Sequence, residues 1–224
     1  MPVQYKIIIF IIASVGITWL SWSSLRNFHS HGFYRFFAFE SIVALVLLNL
    51  DYWFNNPFSV HQIIAWSLLI ISLYLVIHGG LLLHKLGKPD KNRNDDYLIG
   101  IEKTSNLVTN GVYRYIRHPL YSSLLFLTWG VFFKHPSWIG ITLALTSTFF
   151  LIMTAKIEEI ENVNFFGEAY KIYMKKTKMR HDVQNKCLFH SPKESIIKES
   201  KRLTRYWPIS FPCYFIRIWF YVGI

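Results

Sequence analysis

Apolar positions in this chain gather into long runs separated by short polar intervals. Ile7–Leu25 holds 19 residues without a charge, and Phe36–Phe54 holds 19 with only Glu40 and Asp51 charged. Ile63–Leu83 holds 21 and Trp138–Ala155 holds 18, both without a formal charge. A helix crossing the hydrocarbon core needs about 20 residues, so each run predicts a membrane span. A fifth run, Leu120–Phe133, has only 14 residues. A helix of that length rises about 21 Å, so it must either extend back through Tyr115–Pro119 or insert only part-way. Lys134-His135-Pro136-Ser137 then turns the chain into the run from Trp138, which makes a helical hairpin. The expected fold is all-α: an integral membrane protein of about five transmembrane helices.

The first run is expected to be a retained span rather than a signal peptide. Its charged leader is the single Lys6, no A-x-A site follows, and Trp19 and Trp22 suit interfacial anchors better than a cleavage region. Basic residues set the orientation. Arg26 and Arg35 lie between runs one and two, and Lys85, Lys88, Lys91, Arg93, Lys103, Arg114 and Arg117 follow run three. The connection Asp51–Gln62 has no Lys or Arg, and the hairpin turn has only Lys134. Alternate connections are therefore basic, which predicts the N-terminus outside and the long third connection and C-terminal region in the cytoplasm.

Composition narrows the class. Of 224 residues, 52% are apolar and 18% aromatic, and 24 Lys plus Arg against 13 Asp plus Glu give a net charge of +11. Apolar abundance excludes intrinsic disorder. Cys187 and Cys213 both lie in the tail, which excludes a disulfide framework. The positive charge accompanies long apolar runs, so it reads as basic cytoplasmic segments facing membrane lipids rather than as a nucleic-acid surface. The polar stretch Lys85–Ser105 has a loop composition, and Lys171–Arg205 is a solvated basic segment.

Candidate chemistry collects in two places. The first is Gly111-Val112-Tyr113-Arg114-Tyr115-Ile116-Arg117-His118-Pro119-Leu120-Tyr121. Pro119 suits the first turn of a helix and biases His118 toward an extended backbone. Arg114, Arg117 and His118 then sit at a helix N-terminus, a natural place for a carboxylate or phosphate. The plain alternative is that the two arginines snorkel to lipid headgroups. The second is Glu158-Glu159, followed by Glu161, Phe165-Phe166-Gly167, Tyr170 and Tyr173, with no helix breaker before Gly167. Adjacent carboxylates at a membrane mouth need partners. Successive helix positions differ by about 100°, so one of the pair turns to a ligand or to Arg117 while the other meets water. An ion pair to Arg114 or Arg117 that merely ties the hairpin together is the structural alternative. Glu40 is an intramembrane carboxylate with Arg35 five residues earlier as a plain partner near the inner surface. Gly79-Gly80 suits close helix packing. His78, His84 and His118 lack the spacing of a metal site, and none is expected.

The Arg-His-Pro-Leu-Tyr string, the hairpin, the glutamate pair and the Phe-Gly-Glu-Ala-Tyr-Lys-Ile-Tyr run, in that order, resemble the isoprenylcysteine carboxyl methyltransferase family. Phospholipid N-methyltransferases and other small membrane methyltransferases share the two motifs. The resemblance covers about residues 107–178 and divides the chain into membrane helices with a polar loop (1–106), a methyltransferase-like core (107–178) and a divergent tail (179–224). It implies transfer of a methyl group from S-adenosylmethionine at the cytoplasmic face to a lipophilic or small acceptor: an isoprenylcysteine-type carboxylate, a lipid amine or a thiol. It also implies an inner-membrane protein of bacterial or archaeal type. By the same resemblance Arg117, His118, Pro119, Tyr121, Glu158 and Glu159 line a cofactor pocket, Tyr113 and Arg114 lie at its edge, and Tyr170 and Tyr173 close its C-terminal side. No catalytic base is assigned, because an ionised acceptor needs none. The tail departs from the family: polar residues follow Met179, and 206–224 reads as an aromatic-rich interfacial end. The competing assignments are a nicotinamide-dependent membrane reductase of related fold and a non-catalytic membrane protein with an altered C-terminus.

Overall fold

The computed structural model describes residues 1–87 and 106–177. The readings of most of the polar loop and of the tail fall outside the described residues. Among those described there is no strand. The helices are α1 (Val3–Leu20), α2 (Trp22–Leu25), α3 (His31–Asn49), α4 (Val60–Gly87), α5 (Pro119–Phe132), α6 (Trp138–Phe166) and α7 (168–177). Short 3₁₀ turns at Leu50–Tyr52 and Gly111–Arg114 join them. Segments Val3–Leu20, His31–Tyr52, Val60–Gly87 and Trp138–Phe166 are long and apolar enough to cross a bilayer, and Pro119–Phe132 is the shorter apolar helix. The protein is an integral membrane α-helical bundle.

α4 and α6 outrun the apolar runs that predict them. α6 has 29 residues. Its apolar stretch to Ala155 accounts for about 27 Å of rise, and the remaining two to three turns carry Glu158, Glu159 and Glu161 past the hydrocarbon edge. Ser137 caps its start by accepting from Gly140 N–H (3.0 Å), and Gly167 ends it at φ +59°. That is a left-handed conformation glycine adopts at little cost.

α5 does not extend through Tyr115. It starts at Pro119, with His118 as its N-cap at φ −122° and ψ 69°, outside the α region though not fully extended, and keeps its 14 residues. So short a helix is accommodated because its neighbours shield it: α5 lies between α4 and α6 and buries Tyr121, Leu125, Thr128, Trp129, Val131 and Phe132. Small residues allow the approach. A Cβ on Gly79 would lie 3.2 Å from Pro119 Cγ, and one on Gly130 3.0 Å from the Leu69 side chain. α3 packs along α6, with Ala38, Leu45, Ala144 and Leu151 fully buried.

Polar groups pin the end of the bundle where α4 begins. Asn49 Nδ2 donates to Val131 O (2.8 Å). Lys134 is not a loop charge in water: it is 1% exposed, its ammonium donates to Gln62 Oε1 (3.0 Å) and lies 3.5 Å above the Trp66 ring. At the same end Lys6 pairs with Asp51 (2.8 Å). α1 buries no residue and touches α3 through Ser14 Oγ, which donates to Glu40 Oε2 (2.5 Å). Glu40 therefore finds a partner on α1.

Candidate active site

The opposite end of the bundle, where α3 and α5 begin and α4 and α6 finish, holds a cavity of about 390 Å³. Such a volume is in the range of small-molecule sites. α5 contributes His118, Pro119, Leu120, Tyr121, Ser123 and Leu124 to its wall; α6 contributes Glu158, Glu161, Asn162 and Phe166. α7 adds Tyr170 and Tyr173, the 3₁₀ turn adds Tyr113, and Arg117 enters from the linker before α5. α4 supplies Val76, Gly80 and Leu83, and α3 supplies Arg35 and Phe39.

The corner before α5 and the end of α6 meet through an ion pair. Arg117 Nε donates to Glu159 Oε1 (2.6 Å), and Nη1 reaches Thr177 Oγ1 on α7 (3.4 Å). Pairing sends Glu159 toward Arg117, while Glu158, about 100° round the helix, lines the cavity. The His118 ring lies between the two carboxylates, with Nδ1 3.7 Å from Glu158 Oε2 and Nε2 3.6 Å from Glu159 Oε1. Both distances are too long for hydrogen bonds. His118 Nε2 is thus a buried polar atom beside the Glu159 carboxylate without a close hydrogen bond to it. The Tyr121 ring stacks on His118 at 5.6 Å.

α7 folds back over this corner because Tyr173 anchors it. Tyr173 OH donates to Tyr113 O (2.6 Å), and Tyr113 OH in turn reaches Gly79 O on α4 (3.4 Å). Burial pushes the Tyr170 and Tyr173 hydroxyls well above the ordinary tyrosine range. Glu158 and Glu159 reinforce the rise at Tyr170, whereas Arg117 opposes it at Tyr173. Both phenols stay neutral hydrogen-bonding groups at neutral pH.

Of the residues expected at a pocket, Tyr113, Arg117, His118, Pro119, Tyr121, Glu158, Tyr170 and Tyr173 line this cavity, and Glu159 stands behind Arg117. Arg114 does not join them. The turn at Gly111–Arg114 points Tyr113 inward, which leaves Arg114 exposed with its guanidinium 6.0 Å from the Tyr115 ring. Sequence reasoning missed the α3 wall. Glu161 accepts from His31 N–H (3.1 Å) and from His31 Nδ1 (2.5 Å), and so caps the first turn of α3. One turn along α3 lies Arg35, buried and lining the cavity. The retrievable signal was an arginine four residues after a histidine at the start of an apolar helix.

Known proteins share this part of the chain. The family model described as phospholipid methyltransferase matches residues 60–169, from the start of α4 to the start of α7. Protein-S-isoprenylcysteine O-methyltransferase from Homo sapiens is 34% identical over 145 residues, which cover 62% of this chain and 50% of that protein. Residues 60–169 are thus similar to this family of membrane methyltransferases. Methanethiol S-methyltransferase from Pseudomonas deceptionensis is a further relative, 27% identical over 146 residues covering 65% of this chain and 48% of its own. The Xenopus laevis isoprenylcysteine enzyme is 35% identical over 118 residues, 50% of this chain and 40% of that protein. The chain spans about half the length of these relatives. No solved structure matches it.

Proposed function

We propose that this protein transfers a methyl group from S-adenosylmethionine to a lipophilic or small acceptor at the cytoplasmic end of its helical bundle. The observation that carries this reading is the convergence of Arg117, His118, Glu158, Tyr170 and Tyr173 on one cavity, in a chain whose relatives are named as methyltransferases. Membrane orientation follows from the basic connections at the cavity end.

The residues suit the cofactor. Bound there, S-adenosylmethionine supplies a methyl group on a sulfonium cation. Arg117, fixed by Glu159, offers its remaining N–H groups to an amino-acid carboxylate. Glu158 accepts from ribose hydroxyls or an amino group, and His118 stands between the two carboxylates as part of the same wall. Tyr170 and Tyr173 present neutral aromatic faces for adenine stacking and for cation–π attraction to the sulfonium. No side chain need act as base toward an ionised acceptor, so catalysis rests on alignment and on exclusion of water. The relatives' names give an isoprenylcysteine carboxyl group and methanethiol as acceptors, and this protein's acceptor is drawn from that chemistry or from lipid amines.

The test is calorimetric titration of the full chain in lipid nanodiscs with S-adenosylhomocysteine, beside NADPH. Binding of the former is expected, with His118→Ala and Glu158→Gln each weakening it at least tenfold, or ~1.4 kcal/mol. A protein that binds NADPH and not S-adenosylhomocysteine is a reductase, and one that binds neither is not an enzyme of this kind. A labelled-methyl transfer assay on total lipid, small thiols and a prenylcysteine analogue then identifies the acceptor.

A further inference from the structure

α7 (168–177) has two faces of opposite character. Tyr170, Tyr173 and Thr177 are buried against the bundle, whereas Glu168, Lys171, Ile172, Lys175 and Lys176 are exposed. At about 100° per residue the three buried side chains fall within about 60° of one another, and Ile172 lies between Lys175 and Lys176 on the opposite side. Glu168 pairs with Lys171 (2.6 Å). Lys175 and Lys176 have no ion pair among the described residues. Arg114, which takes no part in the cavity wall, stands beside this face. It follows Tyr113, whose carbonyl accepts from Tyr173 OH (2.6 Å), and it is exposed next to Tyr115.

The anchoring of α7 fixes its depth. Tyr113 OH reaches Gly79 O (3.4 Å), and Gly79 lies four residues before the apolar run of α4 ends at Leu83. Two linked contacts therefore hold Tyr173 close to the hydrocarbon edge, and α7 runs at the level of the headgroups rather than out in water. Ile172 is 51% exposed there. An isoleucine flanked by lysines suits a helix lying in the membrane interface, where its side chain meets acyl carbon and the lysines meet headgroups. Such a face is complementary in charge to anionic phospholipid, whose negative surface potential attracts each basic residue.

The same helix supplies Tyr170 and Tyr173 to the cavity wall. Its inner side is tied by Tyr173 to Tyr113 O and by Arg117 Nη1 to Thr177 Oγ1 (3.4 Å). A single helix of this length is marginal on its own, so its position depends on what touches its two faces. Its joint to α6 is unpacked: an added Cβ on Gly167 would meet nothing within 4 Å.

We propose that the outer face of α7, together with Arg114, docks on anionic phospholipid headgroups of the cytoplasmic leaflet, and that this docking holds the helix over the cavity. The docking is independent of what the cavity binds; its effect on a cofactor rests on the methyltransferase reading above. A surface that meets only the closed position of α7 favours that position by its differential affinity, so anionic lipid tightens cofactor binding without touching the cofactor. Because the attraction is electrostatic and solvent-exposed, salt screens it.

The test uses the full chain in nanodiscs of phosphatidylcholine, with and without about one-third phosphatidylglycerol. Two quantities are measured: amide hydrogen exchange of peptides covering residues 168–177 with no ligand added, and calorimetric affinity for S-adenosylhomocysteine. In wild type, anionic discs are expected to slow exchange across α7 about fivefold or more and to tighten S-adenosylhomocysteine binding about threefold or more. The triple variant Arg114→Gln/Lys175→Gln/Lys176→Gln is expected to lose both effects, while matching wild type within about twofold in phosphatidylcholine. Salt at about 0.5 M should likewise remove them, and glycerol phosphate in solution should not reproduce them. Equal exchange in the two lipids overturns the docking. So does a lipid effect that survives in the triple variant, which would belong to another part of the chain, or one that soluble glycerol phosphate reproduces, which would mark a free-anion site. Slower exchange with unchanged S-adenosylhomocysteine affinity overturns the coupling to the cavity. If S-adenosylhomocysteine binds in neither lipid while α7 still responds, the methyltransferase reading falls and the docking stands.

Discussion

Glu161 joins the site to the bundle, and removing it should be unusually costly for a residue near a membrane surface. Its carboxylate accepts from His31 N–H (3.1 Å) and His31 Nδ1 (2.5 Å), and the His31 side chain is fully buried. Glu161→Ala deletes a helix cap worth about 1 kcal/mol and a charge-assisted hydrogen bond worth about 1.5–3 kcal/mol. It also leaves a buried imidazole donor with no acceptor there, a further penalty of about 1–3 kcal/mol. These overlap, so the expected loss is about 3–5 kcal/mol, the range for breaking a buried charged pair. Glu161→Gln keeps a carbonyl for one of the two donors and should cost about 1–2 kcal/mol. Reversible unfolding of the full chain in mixed micelles gives both values. A double-mutant cycle with His31→Ala should return a coupling of about 1.5 kcal/mol or more. A Glu161→Ala protein within about 0.5 kcal/mol of wild type, or strict additivity in the cycle, would refute the account of how α3 is held.

The two adjacent glycines of α4 should behave differently. A Cβ on Gly79 meets three Pro119 and Leu120 atoms at 3.2–3.4 Å, while one on Gly80 meets nothing within 4 Å and faces the cavity. Gly79→Leu should therefore destabilise the bundle by about 1–3 kcal/mol, whereas Gly80→Leu should leave the melting curve near wild type and abolish S-adenosylhomocysteine binding in a titration. Alkaline stability should report Tyr173: its hydroxyl, raised above the unfolded value of 10.0, contributes stability that is present below that pH and lost as pH rises above it. Tyr173→Phe should remove up to about 1.4 kcal/mol per pH unit of that decline, measured by unfolding between about pH 10 and 11, and should release α7 from Tyr113 O.

Much of this architecture was legible because membrane burial leaves a one-dimensional trace. A run of about 20 apolar residues has one economical conformation in lipid, the helix that satisfies its own backbone. That logic located α1, α3, α4 and α6, and the absence of a breaker before Gly167 carried α6 far enough to deliver Glu158 and Glu159. Pro119 marked the start of α5 for an equally local reason. Arg35 and Lys134 were not legible in the same way. Each counts as an ordinary connection or near-surface charge until distant residues are known to surround it: the cavity wall shared with Glu158 and Glu161 for Arg35, Trp66 and Gln62 for Lys134. Arg114 and Arg117 could not be told apart by spacing alone: Arg114 ends the 3₁₀ turn exposed, while Arg117, three residues on, reaches the cavity from the linker.

The shortness of α5 is what creates the recess. Its 14 residues rise about 21 Å, against about 42 Å for the 28 of α4 and about 44 Å for the 29 of α6. Asn49 to Val131 (2.8 Å) and Lys134 to Gln62 (3.0 Å) tie the far end of α5 to α3 and α4, and the short turn after Lys134 starts α6 at the same end. The deficit therefore falls entirely at the Pro119 end, where α4 and α6 stand clear of α5 and the turn and α7 close over the gap. Inserting one helical turn of four residues after Leu127 would lift Pro119 by about 6 Å. That insertion should carry Arg117 away from Glu159, now 2.6 Å distant, and push the His118 corner into the cavity. The far-end contacts should stay intact, so the protein should remain a folded bundle by circular dichroism while S-adenosylhomocysteine binding disappears. Retained binding would mean that the recess owes its depth to the covering segments and not to the length of α5.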